Sequence, residues 1–372
     1  MDFDFSDDQK FMKEQARKFL KEQCDSRVAR GVLNDPARGY DADLWRRIAG
    51  MGWLGIPIAE QHGGLGLGQI ALCAIAEEMG RACAPVPFAS TVYFFTQAVL
   101  LAGSSEQQAA LLPAVAAGDL IGAWAVAEGA GVAAPGSALG CRVEGGRLSG
   151  VKVPVTDGAI ADRLIVLAQE GGQAGLYLVD ARGGGVRAET LASLDPTRNV
   201  ARVTFDGAPA ERLGDAGDGW ALAQAVLDRA AVLLAFEQVG GTDACLEMAK
   251  DYALNRYAFG RVIGGNQAIK HKLADMYVKG ELARSNAYFG AWALEEGGAE
   301  LPLAAAAARI AGSEAYWFAA KENIQTHGGM GFTWEADCHL HYRRSEQLRL
   351  VAGAPRLWKE RLISQLEQRN AA

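Results

Sequence analysis

Two stretches of this 372-residue sequence combine residue types that could hold an anionic, aromatic ligand. The first is Asn255-Arg256-Tyr257-Ala258-Phe259-Gly260-Arg261, followed by Gln267. Arg contacts phosphate through two nitrogens at once and stacks on rings. Arg256 and Arg261 around Phe259 could therefore clamp an anionic group against an aromatic face. The same spacing also fits a plain helix–turn–helix with surface arginines. The second is Gln325-Thr326-His327-Gly328-Gly329-Met330-Gly331-Phe332. Its glycines would let a ligand approach the backbone, with free N–H groups facing it. A glycine C-cap and turn is the alternative.

Other chemistries find less support. There is no GxGxxG after a strand and no P-loop, so neither a Rossmann nor a Walker site is expected. A Gly-x-Ser-x-Gly elbow is absent. Cys338, His339 and His341 lie close together, with His327 nearby, but their side chains should diverge and no second pair is spaced for zinc. No metal site is expected, and a polar surface is the simpler reading. Thr156-Asp157-Gly158 closes a strand in what reads as a β-turn.

These segments must be positioned by a chain of ordinary globular composition, with hydrophobic residues at 50% and charged residues at 22%. Lys plus Arg is 37 against 44 Asp plus Glu, a net charge of −7, which is the wrong sign for a nucleic-acid binder. The acidic start MDFDFSDDQK lacks the positive n-region of a secretory signal. The most apolar stretch, Ala109 to Ala127, is broken by Pro113, Gly118 and Asp119, so no membrane span is expected. Six scattered cysteines without a CxxC pair read as reduced thiols in a cytoplasm.

Periodicity divides the chain into three domains, an α+β multidomain architecture. Residues 1–118 read as an N-terminal helical domain. Ser6 with Gln9 forms a capping box before Phe11, Met12, Ala16, Phe19 and Leu20. Further helices are expected at Asp43–Met51, Gln69–Ala82, Thr91–Leu101 and Ser105–Ala117. Residues 119–212 carry short Val/Ile/Leu-rich runs between Gly and Asp turns: Ile121–Val126, Leu148–Thr156, Leu164–Ala168, Leu176–Val179 and Val200–Phe205. They predict a β-barrel or sandwich. Residues 213–372 return to helical period, with long segments at Ala221–Tyr257, Gln267–Gly290 and Leu303–Thr326 that predict a four-helix bundle.

In this order the two ligand-type segments resemble the acyl-CoA dehydrogenase family. The resemblance spans essentially the whole chain. Its strongest motifs are Arg256-Tyr-Ala-Phe-Gly-Arg261, Gln267, His271-Lys-Leu-Ala-Asp-Met276 and Gln325 to Phe332. Trp53-Leu-Gly-Ile-Pro57 and Glu60-Gln-His-Gly-Gly-Leu-Gly66 are similar to the family's N-terminal domain. The resemblance implies FAD, an acyl-CoA substrate, a homo- or heterotetramer, and electron-transfer flavoprotein as acceptor. It implies α,β-dehydrogenation, in which a carboxylate takes the pro-R α-proton while the β-hydride goes to flavin N5. Carried over residue by residue, it implies that Arg256, Phe259, Gln267, Gln325, Gly328 and Gly329 meet the adenosine and pyrophosphate half of an FAD held mainly by a neighbouring subunit. Thr156 stands where a family hydroxyl bonds the flavin near N5.

The departures from the family pattern are systematic. Counted without a gap from Gly331, the position of the usual base Glu is Ala352. The alternative base position on the long helix is Ala230, and the Arg expected next is Ala231, although Leu227-Asp228 still matches. The family's Thr-Glu-Pro-Gly-Ala-Gly-Ser appears as Ala127-Glu128-Gly129-Ala130-Gly131-Val132, and an expected Trp is Pro154. Residues implied to touch a neighbour's FAD are kept, while those implied for this chain's own flavin ring and base are mostly Ala, Val or Pro. A methyl cannot accept a proton. The expectation is a base-lacking subunit paired with a catalytic partner, a type the family uses for bulky thioesters including sterol side chains. Two alternatives remain. One is a self-sufficient enzyme with its base moved to Asp228, Glu237, Glu346 or Asp157. The other is a non-catalytic binding protein on the same fold. The small residues around 230–245 would leave room for a wide acyl group, or simply permit tight helix packing.

Overall fold

The computed structural model describes residues 5–129, 137–214 and 218–371. Contacts sort the chain into two units. One comprises 1–29, 73–84 and 231–372; the other comprises 30–72 and 85–230. The helices of the N-terminal region are α1 (Asp7–Gln23), α2 (Ser26–Asn34), α3 (Ala42–Gly50), α4 (Gly68–Arg81), α5 (Gln97–Ala102) and α6 (Ser105–Ala117). The expected capping box is present, with the Ser6 and Gln9 side chains each bonding the other's backbone N–H. Ser104 and Gln107 form a second one at α6. The helix expected over Thr91–Leu101 begins instead as a fully buried π-helix, Ala89–Thr96, before continuing as α5. α2 was not apparent from spacing.

The second unit is built on seven strands: β1 (Gly122–Ala125), β2 (Arg142–Glu144), β3 (Arg147–Thr156), β4 (Arg163–Glu170), β5 (Gln173–Asp180), β6 (Val186–Thr190) and β7 (Val200–Arg212). Pairing runs β4-β2-β3-β7-β5 and returns from β5 to β4, which closes the sheet into a ring. Among the described residues, closure leaves edges only at β1 and β6, which each pair with a single strand. Leu164, Val166 and Ala168 of β4 point into one core with Leu148, Val155, Val203 and Phe205. Ile165 and Leu167, on the other face of β4, are buried too, which is why β4 reads as an unbroken apolar run. β2 and β6 escaped the sequence reading because their residues are mostly exposed and polar.

A charged pair sits in this unit. Lys152 is fully buried on β3, and its ammonium donates to Glu128 Oε1 at 2.6 Å. Glu128 also accepts from the backbone N–H groups of Gly140 and Cys141, at 2.6 and 3.0 Å. Burial pushes the carboxyl upward, but Lys152 and the two N–H groups outweigh it and hold Glu128 below the ordinary carboxylate range. A carboxyl depressed in the folded state stabilises above its unfolded pKa, about 4.3, and loses that contribution as pH falls through the folded value. Glu128→Gln is therefore expected to destabilise the protein at pH 7 and to flatten its loss of stability below about pH 4. Urea unfolding between pH 7 and 3 reads both; parallel curves for the variant and the natural protein would refute this.

The first unit holds α1, most of α4 and the C-terminal helices: the later part of α7 (Gly219–Asn255), then α8 (Gln267–Glu296), α9 (Leu301–His327), α10 (Cys338–Leu350) and α11 (Pro355–Ala371). Small residues set its helix spacing. A Cβ on Gly240 would lie 1.7 Å from Glu77 O, and one on Gly80 would lie 1.8 Å from Glu237 O, so α4 and α7 cross backbone to backbone. A Cβ on Gly241 would strike the Tyr316 ring at 2.4 Å. Gly240 and Gly241 of α7 are thus used for close packing. Among the described residues, α7 alone is long and apolar enough to cross a membrane, but 67% of its most apolar window is buried within the fold. That burial is the pattern of a core helix.

Candidate functional site

Three helix ends of the first unit converge where the sequence placed the ligand-type residues. Tyr252, near the end of α7, stacks on His327, the last residue of α9, with ring centroids 4.2 Å apart. Lys272, early in α8, pairs with Glu322 of α9 at 2.9 Å. These contacts bring together the segments that carry Arg256, Phe259, Gln267, Gln325, Gly328 and Gly329. The spacing alone could not show that they share one end of the bundle.

Arg256 follows α7 and is exposed. Its backbone is fixed, with N donating to Tyr252 O and O accepting from Ile263 N. Its guanidinium makes no hydrogen bond or ion pair with any described residue. Phe259 and Gly260 form the two-residue turn of a hairpin, β8 (Tyr257–Ala258) with β9 (Arg261–Val262). Both turn residues have positive φ, +52° and +78°, as a type I′ turn requires. Gly tolerates this, but Phe does so at about 1–3 kcal/mol. The ring is 104% exposed, so nothing in the chain offsets the strain.

Phe259→Gly is accordingly expected to raise the stability of the free chain by about 1 kcal/mol. The same variant should retain less FAD in the assembled protein, as read by flavin absorbance after gel filtration. A turn without a ligand role would show the first effect and not the second.

At α8, the Asn266 side-chain oxygen accepts from Arg261 Nη2, and Asn266 provides no side-chain cap to the helix. The N–H groups of exposed Gln267 and of Ala268, at the start of α8, have no carbonyl partner among the described residues and suit an anion. At the end of α9, Gly328 caps the helix by donating to Gln325 O at φ +60°, and Gly331 has no room for a Cβ, which would meet Ile324 O at 2.4 Å. Gly329 needs neither a positive φ nor the space. A Cβ there would meet nothing within 4 Å. The fold explains two of these glycines, and the third leaves an open approach to the backbone. The Gln325 side chain is exposed and unbonded among the described residues.

In the second unit, Thr156 ends β3 opposite Val200. It is half-buried, and its hydroxyl has no partner among the described residues. The turn after it is held by buried Asp157, which accepts from Ser90 Oγ at 2.6 Å and donates its own N–H to Asn199 O at 2.7 Å. Pro154 is exposed and follows a cis peptide bond. Ala127 bonds β3 through its carbonyl, which accepts from Val153 N. Ala130, Gly131 and Val132 lie outside the described residues.

Both base positions carry methyls in well-fixed backbone. Ala352 has φ +64°, and its carbonyl accepts from Trp358 Nε1 at 3.0 Å. Arg309 donates to the carbonyls of Leu348 and Val351 just before it. Ala230 is fully buried. The acids that could replace a base are otherwise occupied. Glu237 lies 3.6 Å from Arg344 with both side chains fully buried. Glu346 accepts from Trp317 Nε1 at 2.7 Å and pairs with Arg349. Asp157 holds its turn, and Asp228 is buried.

The Cys/His cluster disperses. His341 bonds Tyr316, His339 stacks on Trp334, and Cys338 is buried. No described residues group as metal ligands. One residue escaped the sequence reading: Arg229, whose only signal was a cation within the apolar run Val226–Phe236.

The family model for the acyl-CoA dehydrogenase N-terminal domain matches residues 6–119, and that for the C-terminal domain matches 217–363. The Mycobacterium tuberculosis acyl-CoA dehydrogenase IpdE2 is 36% identical over 332 residues, 88% of each chain. A structure described as a Tcur3481–Tcur3483 steroid ACAD variant superposes with a TM-score of 0.89 at 32% identity, covering 98% of this chain and 99% of that one. The ChsE4–ChsE5 complex from Mycobacterium tuberculosis gives a TM-score of 0.89 at 25% identity, covering 99% of both chains.

Proposed function

The chain belongs to the acyl-CoA dehydrogenase family, and from that premise we propose that it is the base-lacking subunit of a heteromeric, FAD-dependent dehydrogenase that forms an α,β-double bond in an acyl-CoA thioester. The observation that carries this reading is a contrast along the chain. Methyls stand at 352 and 230, and the acids considered as replacements are buried or held by partners. Of the residues for the adenosine end of a cofactor, Arg256, Phe259, Gln267 and Gln325 are exposed, with no side-chain bond among the described residues.

The fit to FAD is uneven in the same sense. Unpaired Arg256, the N–H groups at the start of α8 and the open backbone at Gly329 suit a pyrophosphate. Exposed Phe259 suits a stacked ring. Thr156 offers a free hydroxyl to a flavin, but Ala127 and Pro154 offer no hydroxyl or aromatic face. FAD, when bound, supplies the hydride acceptor. This chain's residues would bind and orient its adenosine half, while a related subunit would hold the ring and bring the carboxylate. Names among the relatives support a paired assembly, since Tcur3481–Tcur3483 and ChsE4–ChsE5 are each two-component. The first of these is a steroid enzyme, which supports a bulky, sterol-derived acyl group here. Electron-transfer flavoprotein is the proposed acceptor.

The visible spectrum of the purified chain, taken alone and with a base-bearing related subunit, tests the reading. A colourless chain that becomes yellow and bleaches with acyl-CoA only in the complex supports it. A yellow chain that bleaches alone ends it.

A further inference from the structure

Arg229 lies on α7 in the unit that carries the barrel, immediately before Ala230. It is half-buried, and its Nε is fully shielded from solvent without a hydrogen-bond partner. No described residue gives it a hydrogen bond or an ion pair. The neighbouring acid, Asp228, is buried but does not answer it. Burial, with no charge opposing it, pushes the guanidinium's pKa down. Elsewhere the protein handles such cations differently. Arg81, Arg284 and Arg309 each bond carboxylates, side-chain oxygens or carbonyls through their terminal nitrogens, even where, as in Arg81 and Arg309, Nε is also buried without a hydrogen-bond partner. A cation taken partly out of water and left unpaired is a net cost to folding. Arg is a rigid fork of donors suited to an oxyanion.

We propose that Arg229 is a receptor for a ligand oxyanion: it takes a carboxylate or phosphate oxygen of the CoA thioester, which is the ligand that the acyl-CoA reading supplies. The chain then keeps a binding contact beside a base position that is only a methyl. Arg229 and the Arg256 cluster belong to different units of the chain.

The test uses the full chain with Arg229→Gln and Arg229→Lys, and the probes glutaryl-CoA, butyryl-CoA and pyrophosphate. Without ligand, Arg229→Gln is expected to melt about 1–3 °C higher than the natural protein, because an unpaired buried charge is gone. In calorimetry it should bind the responsive probe about 10- to 100-fold more weakly, with Arg229→Lys in between. A loss confined to glutaryl-CoA assigns the oxyanion to an acyl carboxylate. An equal loss on both thioesters and pyrophosphate assigns it to the CoA phosphates. Pyrophosphate binding that depends on Arg229, with neither thioester binding, keeps the anion site and removes the acyl-CoA reading. A lower melting temperature for Arg229→Gln, or binding of every probe unchanged or absent, overturns the proposal.

Discussion

Joined to a related subunit that carries a carboxylate base, the chain is expected to turn over acyl-CoA at least about 10²-fold faster than it does alone, because a positioned general base contributes about 10²- to 10⁴-fold. An α-proton beside a thioester is poorly acidic and needs a base within hydrogen-bond reach. Ala352 and Ala230 cannot supply one. Asp157, Glu237 and Glu346 are tied up by Ser90, Arg344 and Trp317 with Arg349. Alanine at Asp157, Asp228, Glu237 or Glu346 should therefore not remove a turnover base, although the buried ones should weaken the fold. Arg256→Gln in this chain should instead lower FAD retention by the complex, since its guanidinium is unengaged within the chain. Full activity in the isolated chain, lost on replacing one of those four acids, would transfer the role to that residue and end the two-subunit reading.

Glu77→Gln is expected to cost about 3–5 kcal/mol, the usual effect of removing one partner from a buried ion pair. Glu77 of α4 is fully buried and accepts from Lys13 Nζ of α1 and from Arg284 Nη1 of α8, both at 2.6 Å. Arg284 continues to Asp243 of α7, and Asp243 accepts from Arg81 of α4, both at 2.6 Å. Four helices of one unit are thus joined through alternating charges, and losing Glu77 leaves Lys13 without its carboxylate and Arg284 with Asp243 and Glu281. Burial pushes Glu77 upward, but Lys13 and Arg284 outweigh it, so its folded pKa is depressed. Its contribution is present above about pH 4.3 and is lost as pH falls through the folded value. Gly240→Ala probes the same crossing without touching charge. It should cost at least about 1–3 kcal/mol, because the added methyl meets the Glu77 backbone. Urea unfolding of both variants, with tryptophan fluorescence as the signal, measures this. A Glu77→Gln protein within 1 kcal/mol of the natural one would show that the network is not needed.

Much of the fold was legible because its signals are local. Capping at Ser6, the exact span Ser105–Ala117, the start of α8 at Gln267 and the apolar run of β4 depend on residues a few positions apart. The π-helix over Ala89–Thr96 was read as ordinary helix, because both share an apolar run and only packing chooses between them. β6 and the tail of β7 were missed because they pair through backbone while showing solvent-facing side chains.

What the sequence by itself determined was the inventory: the order of helical and β segments, the Arg256 and Gly-rich segments, and the absence of a carboxylate at 352 and 230. Tertiary structure decided what each residue is for. It separated Gly329, open to a ligand, from Gly331 and Gly240, which neighbouring carbonyls require. It turned the candidate acids into partners of Arg344, Trp317 and Ser90, and left Arg229 without one. The reason is physical. A residue's type fixes what it can donate or accept, but burial and partners come from elements distant in sequence, and these determine whether that capacity is spent inside the fold or left for a ligand.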